Sequence, residues 1–417
     1  MKLLVIGSGG REHAIAYHLL KSPMVESVFC APGNPGMKAD GISCVNISEY
    51  AFEDLITFAK KEQIDWTFVG PEGPLFEGIV DQFTQAGQIA FGPNQAAAQI
   101  EGSKLFAKEL MQKYGIPTAS YASFTDQSAA LSYLDQQSVP IVVKVDGPAA
   151  GKGVTVALTK EEAEKAIKSA FEKDSSQQRL VIEECLIGPE FSIFSMVYKG
   201  KVCHSLPARD HKRLLDGNLG PNTGGMGAFA PVGDISEDLY QETLRTIVEP
   251  VLVAMEKEGT PFNGVLYTGL MNTAEGPKVI EFNARFGDPE TQVVLPLLKT
   301  DFAELINDLL HGRETQVEWM EDKACLGVIL AAEGYPAKPI KGIEFALTSL
   351  MDPSMKIYYA GVSSYKPLIS SGGRIAMITC LADSKDQAQK KVYQYLAEQD
   401  LKQIIYRKDI GSFLLKS

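Results

Sequence analysis

The sequence predicts an α/β protein with three parts: an N-terminal doubly wound parallel-sheet domain, a central domain mixing hairpins with long helices, and a small C-terminal α+β domain. Three observations carry this. The N-terminal quarter alternates short apolar strands with helical stripes, and that alternation builds a parallel sheet covered on both faces. The middle switches to hairpins and long helices. From about Cys325 short strands dominate, with one helix. At 417 residues the chain exceeds a single core, and about three domains are expected, placed at 1–102, 103–324 and 325–417.

Leu3-Leu4-Val5-Ile6 reads as a buried strand, and Gly7 to Gly10 turn it into a helix carrying Ala14, Ile15 and Leu19. Val28-Phe29-Cys30 is a second strand. Phe52, Leu55, Ile56 and Ala59 make a helical stripe that leads to the strand Trp66 to Val69. Ser103 is placed to cap a helix Lys104 to Tyr114, which Gly115-Ile116-Pro117 stops. A strand Pro140 to Val145, a glycine loop, a strand Val154 to Leu158 and a helix Glu161 to Lys173 follow, then a strand Val181 to Leu186. Phe191 to Leu206 reads as a hairpin turning at Lys199-Gly200. A long helix Glu237 to Glu258 precedes a second hairpin, Gly264 to Asn272 and Lys278 to Asn283, turning at Glu275-Gly276. The last part offers strands Leu326 to Ala331, Lys356 to Tyr359 and Arg374 to Cys380, with a helix from Ser384 to Glu398.

Apolar content of 45% and charged content of 22% describe a soluble globular chain. No apolar run approaches the roughly 18 residues of a membrane span, and Gly7 to His13 interrupt the N-terminal apolar stretch too early for a signal peptide. The 6 cysteines lack any C-x-x-C spacing, as in reduced, buried cytoplasmic thiols. A net charge of −12 argues against a nucleic-acid binder, but not against a small phosphorylated ligand.

The most telling run is Glu281 to Thr291, EFNARFGDPET. Residues two apart on a strand share a face, so Glu281 and Asn283 offer two hard oxygens to a cation such as Mg²⁺, which leaves room for phosphates. Arg285 continues the row, where a guanidinium can grip phosphoryl oxygens. The bland reading is a hairpin end with Arg285 and Asp288 paired locally. Lys144 ends a strand, and the loop after it (Ala149, Ala150, Gly151, Lys152, Gly153) lets backbone N–H groups approach a polyphosphate. A strand follows it, so it is no Walker A loop but a hairpin lid. Glu183, Glu184, Cys185 and Leu186 end another strand, where backbone groups can read an adenine, and Glu190 can accept ribose hydroxyls. Asp210 to Ala228, with Lys212, Asn222, Thr223 and Gly224, reads as a long irregular polar loop of the kind that binds small molecules.

Near the N-terminus, Glu12 occupies the third glycine position of a dinucleotide fingerprint, and no acid follows the second strand to hold a ribose. A single phosphate therefore suits the Gly9, Gly10, Arg11 loop and its helix N-terminus better than NAD does. Pro71 and Glu72, after the strand at Val69, lie on the same edge and could line the same crevice.

Taken in order, VIGSGGREHA, GPEGPL, SKLFAK, the glycine loop, DHKR with DGNLGPNTGGMGA, EFNARFGDPETQ and AAEGYP resemble the ATP-grasp superfamily and, within it, the glycinamide ribonucleotide synthetases, over essentially the whole chain. The resemblance implies a two-lobed ATP-grasp fold with its lid lobe at about 120–187. It also implies ATP-driven joining of glycine to 5-phosphoribosylamine through glycyl phosphate, giving glycinamide ribonucleotide, ADP and phosphate, the second step of purine synthesis. Glu281 and Asn283 would then hold Mg²⁺ (or Mn²⁺), Lys104 and Lys144 would contact the ATP phosphates, and the loop 149–154 would cover them. Glu183 to Leu186 would read adenine, Glu190 the ribose, and Arg285 would face the moving phosphoryl group.

Asp210 and Asp288 are the expected partners of glycine and the sugar amine. Thr268 stands where many ATP-grasp enzymes carry a further acidic metal ligand. A cytoplasmic monomer in transient contact with the amidotransferase that makes phosphoribosylamine is compatible with the resemblance. The rivals are another ATP-grasp ribonucleotide ligase or carboxylase, an NAD-dependent oxidoreductase and a non-catalytic nucleotide sensor.

Overall fold

The computed structural model describes residues 1–147, 153–172 and 179–412. The alternating N-terminal segment folds as predicted into a five-stranded, all-parallel sheet in the order Ser43–Cys44, Ser27–Pro32, Lys2–Gly7, Trp66–Val69, Ala90–Phe91. The order doubles back at Lys2–Gly7, so the carboxyl ends of Lys2–Gly7 and Trp66–Val69 open on one crevice. Helix Gly10–Leu20 follows the first strand directly.

Helix Lys104–Tyr114 starts and stops where its sequence says. Ser103 accepts the Phe106 N–H, and Gly115 closes the helix in the left-handed region at φ 66°. After it comes a lobe with a core of its own. Antiparallel strands Tyr121–Phe124, Leu180–Glu184, Ile141–Val145 and Val154–Ala157 carry helices Gln127–Asp135 and Lys160–Glu172, packed through Leu134, Ile141, Ile167 and Ile182. Ile141–Val145 pairs with Val154–Ala157, and Val145 N–H reaches Gly153 O at 2.8 Å. The loop between them is thus a hairpin connection; Ala149, Ala150, Gly151 and Lys152 lie outside the described residues.

A second antiparallel sheet runs Lys201–His204, Glu190–Tyr198, Gly264–Thr273, Gly276–Asn283. Its first hairpin turns at Lys199-Gly200, with φ of 46° and 79°, the mirror-image turn that suits strand twist. The second turns one residue earlier than the sequence suggested, at Ala274-Glu275, and Gly276 opens the returning strand at φ 106°. The long helix is continuous but holds a π turn, Leu244–Val248, between Glu237–Thr243 and Glu249–Lys257. Pro250, without an N–H to give, sits at the start of the second stretch.

The expected irregular loop at 210–228 needs correction. It contains short strands Arg209–Asp210, Arg213–Leu215, Leu219–Asn222 and Gly227–Ala230. Arg213–Leu215 and Leu219–Asn222 form a hairpin tied to the end of the chain by the buried Arg407, which bonds Asn218 Oδ1 at 2.9 Å and Arg213 O at 3.0 Å. Gly227–Ala230 pairs with Ala324–Ala332, and Arg209–Asp210 extends that sheet's edge. The same sheet continues through Arg374–Ala382 to Met355–Tyr359, with helix Lys385–Ala397 against it. Polar, glycine-rich sequence hid these strands because each is only two to four residues long, and Gly227–Ala230 finds its partner about a hundred residues further on.

One apolar core runs through all three parts, from Leu3 and Ile15 through Phe194 and Tyr267 to Leu326 and Ile378. At its centre Phe286 stacks on Phe68 (6.0 Å between centroids) and meets Phe194 edge-on at 4.9 Å. Its backbone is thereby anchored between Arg285 and Gly287. Among the described residues no helix is long and apolar enough to cross a membrane.

Candidate active site

Glu281 and Asn283 end the strand Gly276–Asn283 on one face, opposite Gly269 and Tyr267 of the neighbouring strand. Thr268 pairs instead with Phe282 and is wholly buried. It therefore faces away from the pair, and its position is no metal-ligand position. Burial would raise the Glu281 carboxyl, but Lys212, Lys144, Arg285 and Lys104 together hold it below the usual range. The residues fit a hard divalent cation arriving with a nucleotide: two oxygen ligands, an open side, and cations placed for phosphates. Among the described residues no cluster of three or more His, Cys, Asp or Glu forms a self-sufficient metal cage.

Arg285 does not pair with Asp288. Its Nε reaches Glu72 Oε2 at 3.1 Å, and one amino nitrogen reaches Glu101 Oε1 at 2.9 Å. Burial pushes Glu101 up to about 7 against the pull of Arg285, whereas Arg285 and Arg11 outweigh burial at Glu72 and bring it to about 2. The guanidinium thus connects the parallel-sheet domain to the end of the strand Gly276–Asn283.

Lys144 is buried at the base of the lid lobe. Its ammonium lies 2.9 Å from Glu183 Oε2 and 3.2 Å from Ile280 O, and Lys108 reaches the same carboxylate at 3.2 Å. Glu183 is therefore the counter-ion of two buried lysines, and its other oxygen is buried without a partner. An exocyclic amine would satisfy it. Glu184 turns outward to Lys278 at 3.5 Å, and Cys185 and Leu186 follow past the strand end. Lys104, at the start of its helix, donates to Gly147 O at 2.8 Å, while Asp146 accepts from Leu105 N–H at 3.3 Å. The described shoulder of the lid is thus tied to that helix's N-terminus.

Glu190 and Lys212 pair at 3.3 Å, and Lys212 comes within 3.8 Å of Glu281, which places Lys212 beside the Glu281–Asn283 strand end. Beside it lie Asp210 and Glu290. Burial raises both carboxyls and Lys212 opposes it at each; Glu290 adds to the rise at Asp210, while the Tyr267 hydroxyl, hydrogen-bonded to Glu290, holds that carboxyl down. Two crowded acids attract a cation, and an ammonium group meets that need. Thr223 is structural: its hydroxyl donates to Lys212 O at 2.8 Å and accepts from Gly225 N–H at 3.0 Å. Asn222 pairs through its backbone with Arg213 at the open end of the hairpin.

A separate cavity of ≈390 Å³ lies between the first domain and the last, lined by Ser8, Gly9, Asn34, Asp288, Gly361 and Arg374 among others. Asp288 is held there by Arg374 (3.0 Å) and Gln292 (2.8 Å), and Arg374 also donates to Gly224 O at 2.6 Å. At the expected anion site of the Gly10–Leu20 helix, part of the donor set is already engaged. Glu12 already accepts the Gly9 N–H at 2.7 Å, and a Cβ at Gly7, Gly9 or Gly70 would collide with Glu12. Arg11 is buried, 2.6 Å from Glu12 and 3.1 Å from Phe286 O, so it is not free for a ligand. Gly10 faces Gln292 instead. Pro71 caps the short helix that begins with Glu72.

Sequence reasoning missed Lys108, Glu101, Glu290 and Arg374. Lys108 was detectable as the residue four beyond Lys104 on one helix face. Glu290 lay inside the quoted EFNARFGDPET run, and Glu101 two residues before Ser103. Arg374 carried no local signal, because pairing across the C-terminal sheet alone brings it to Asp288.

A lid lobe shouldered on a helix that delivers lysine, above a strand that delivers a carboxylate and an amide, is the frame of an ATP-grasp ligase. Family models described as the N, ATP-grasp (A) and C domains of phosphoribosylglycinamide synthetase match residues 1–101, 102–291 and 325–413. A phosphoribosylamine–glycine ligase of Lactococcus lactis is 51% identical over 99% of both chains, and one from Streptococcus pneumoniae is 50% identical over 100% of both. The crystal structure of phosphoribosylamine–glycine ligase from Thermotoga maritima superposes with a TM-score of 0.85 at 33% identity, over 99% of this chain and 100% of that one. A biotin carboxylase domain from Hydrogenobacter thermophilus, solved with MgADP and bicarbonate, shares the fold alone, at 16% identity and a TM-score of 0.73. The chain belongs to the phosphoribosylglycinamide synthetase family.

Proposed function

We propose that the chain carries out its family's reaction, ATP-dependent joining of glycine to 5-phosphoribosylamine, in two adjoining subsites that meet at residues 285–290. The observation that carries this reading is that meeting: Arg285 faces the nucleotide group and Asp288 the cavity, with the buried Phe286 fixing both. Adenine lies against Glu183 and the backbone of Glu184 to Leu186, the ribose at Glu190, and the phosphates among Lys104, Lys144 and Gly153. Bound at Glu281 and Asn283, Mg²⁺ or Mn²⁺ would neutralise charge developing on the phosphates.

Glycine places its ammonium between Asp210 and Glu290. Its carboxylate oxygen attacks the γ-phosphorus and expels ADP, while Arg285 and Lys212 face the transferring oxygens. The amine of phosphoribosylamine then attacks the glycyl carbonyl carbon. The carbon–oxygen bond to phosphate breaks, and the nitrogen gives up a proton. Arg374, with Ser8, receives the sugar phosphate in the cavity; Asp288 holds the amine, and Glu72 the ribose hydroxyls. The division at 102 and 324, the lid at about 120–187, cytoplasmic location and a monomer that meets its amidotransferase transiently belong to the same proposal.

Glycine labelled with ¹⁸O in its carboxylate tests the chemistry. One label should appear in the released phosphate, ATP turnover should need both co-substrates, and bicarbonate should not replace glycine. Unlabelled phosphate would sink the acyl-phosphate route. For the cavity, Arg374→Ala should raise KM for phosphoribosylamine more than tenfold and leave ATP affinity within about threefold, roughly 0.7 kcal/mol. A defect confined to ATP would reassign it.

A further inference from the structure

Glu101 lies outside every ligand-facing role assigned above, yet three donors from the end of the metal strand converge on its carboxylate. Oε2 accepts the Ala284 N–H at 2.7 Å, and Oε1 accepts the Arg285 guanidinium at 2.9 Å and the Asn283 amide at 3.1 Å. The amide end beside Glu101 also meets Phe282 O at 3.2 Å. Two acceptors around one end assign the nitrogen to it, which leaves Oδ1 for the face shared with Glu281. An asparagine amide is nearly symmetric in shape, and only its hydrogen-bond partners decide which end a cation meets. A carboxylate offers acceptors alone, so it selects one orientation and also gathers a cationic side chain.

We infer that Glu101 is a positioning residue, which turns the Asn283 oxygen toward the metal and holds Arg285 beside it; this rests on the reading of Glu281 and Asn283 as the metal pair. Neither action requires Glu101 to touch substrate.

The test is Mn²⁺ binding, read by electron paramagnetic resonance with a non-hydrolysable ATP analogue present, alongside thermal melting. Glu101→Gln keeps the shape but puts an NH₂ among the donors. It should weaken Mn²⁺ roughly 10- to 100-fold, the cost typical of partners behind a metal ligand, and leave metal-free analogue affinity within about threefold. Asn283→Asp has two equivalent acceptor ends. Added to Glu101→Gln, it should restore Mn²⁺ binding to within about threefold of wild type, which a merely structural role for Glu101 would not permit. With Glu101 intact, Asn283→Asp sets two carboxylates together and should weaken Mn²⁺; this variant keeps the test valid should Glu101→Gln fail to fold.

Wild-type Mn²⁺ binding in Glu101→Gln overturns the inference, as does a double variant without rescue or an Asn283→Asp enzyme that binds at least as tightly as wild type. Glu281→Gln separates the two levels. If it weakens Mn²⁺ while Glu101→Gln does not, only the inference falls. If neither weakens it, the metal pair falls first.

Discussion

Arg285 reaches from the central part of the chain to two acids of the first, Glu72 and Glu101, and this decides how it can be tested. Removing it strips the partner from Glu72 and Glu101 together, and an uncompensated buried charge costs about 3–5 kcal/mol. Arg285→Ala therefore confounds folding with chemistry. Arg285→Lys keeps the charge but cannot span both carboxylates. It should lower kcat roughly a hundredfold, as loss of a transition-state donor does, with Mg-ATP affinity within about threefold. Turnover measured on active-site-titrated protein beside a melt checks this; a destabilised but fully active lysine variant would end the phosphoryl-facing role. At this scale the sequence was informative wherever chemistry follows chain order. Glu281, Asn283 and Arg285 were legible because alternation along one strand places them. Glu183 was found for its place, but its paired lysines were invisible, since Lys108 and Lys144 reach it from elements 36 residues apart in sequence, as their numbers show. Arg11 looked available, and only the fold shows it consumed by Glu12.

Helix Lys104–Tyr114 shows how an element carries function. Its cap, Ser103, accepts the Phe106 N–H at 3.1 Å, and the next residue is Lys104 itself. Loss of such a cap costs about 1 kcal/mol. Ser103→Ala should therefore lower stability by about that amount and raise KM for ATP severalfold, because the first turn, frayed, no longer holds Lys104. Equal KM with reduced stability would show that the lysine is positioned by Gly147 and not by the helix. Elements with a strong period or clear caps were legible to within a residue or two, this helix and the Gly276–Asn283 strand among them. The 209–230 strands were not, because they are only two to four residues long and are held from afar: Gly227–Ala230 pairs with Ala324–Ala332, and Arg407 ties down the hairpin of Arg213–Leu215 and Leu219–Asn222.

Across the whole molecule, the first and last parts are joined by a buried polar seam. His13 Nδ1 accepts the Tyr359 N–H at 2.9 Å and Nε2 faces Asp40 at 2.8 Å, Asn34 donates to Tyr359 O at 3.0 Å, and a Cβ at Gly36 would overlap the Tyr359 ring. Burial lowers the His13 pKa below its ordinary 6.5. A histidine kept neutral by folding adds stability that is complete above about 6.5 and is lost as pH falls below it. His13→Gln should therefore cost roughly 2 kcal/mol at pH 7.5, the worth of two buried hydrogen bonds, and the gap from wild type should narrow toward pH 5. Denaturant unfolding at both pH values checks this, and a constant gap would place the titration elsewhere.

The strand Gly227–Ala230 has a consequence for the protein's birth. A chain growing from its N-terminus reaches residue 320 with Lys104, Lys144, Glu183, Glu281 and Arg285 already made. It still lacks Ala324–Ala332, on which Gly227–Ala230 pairs, and Arg374, which holds Asp288. Synthesis interrupted there would thus leave the proposed nucleotide residues without a finished acceptor side, and turnover would have to wait until Arg374 is made.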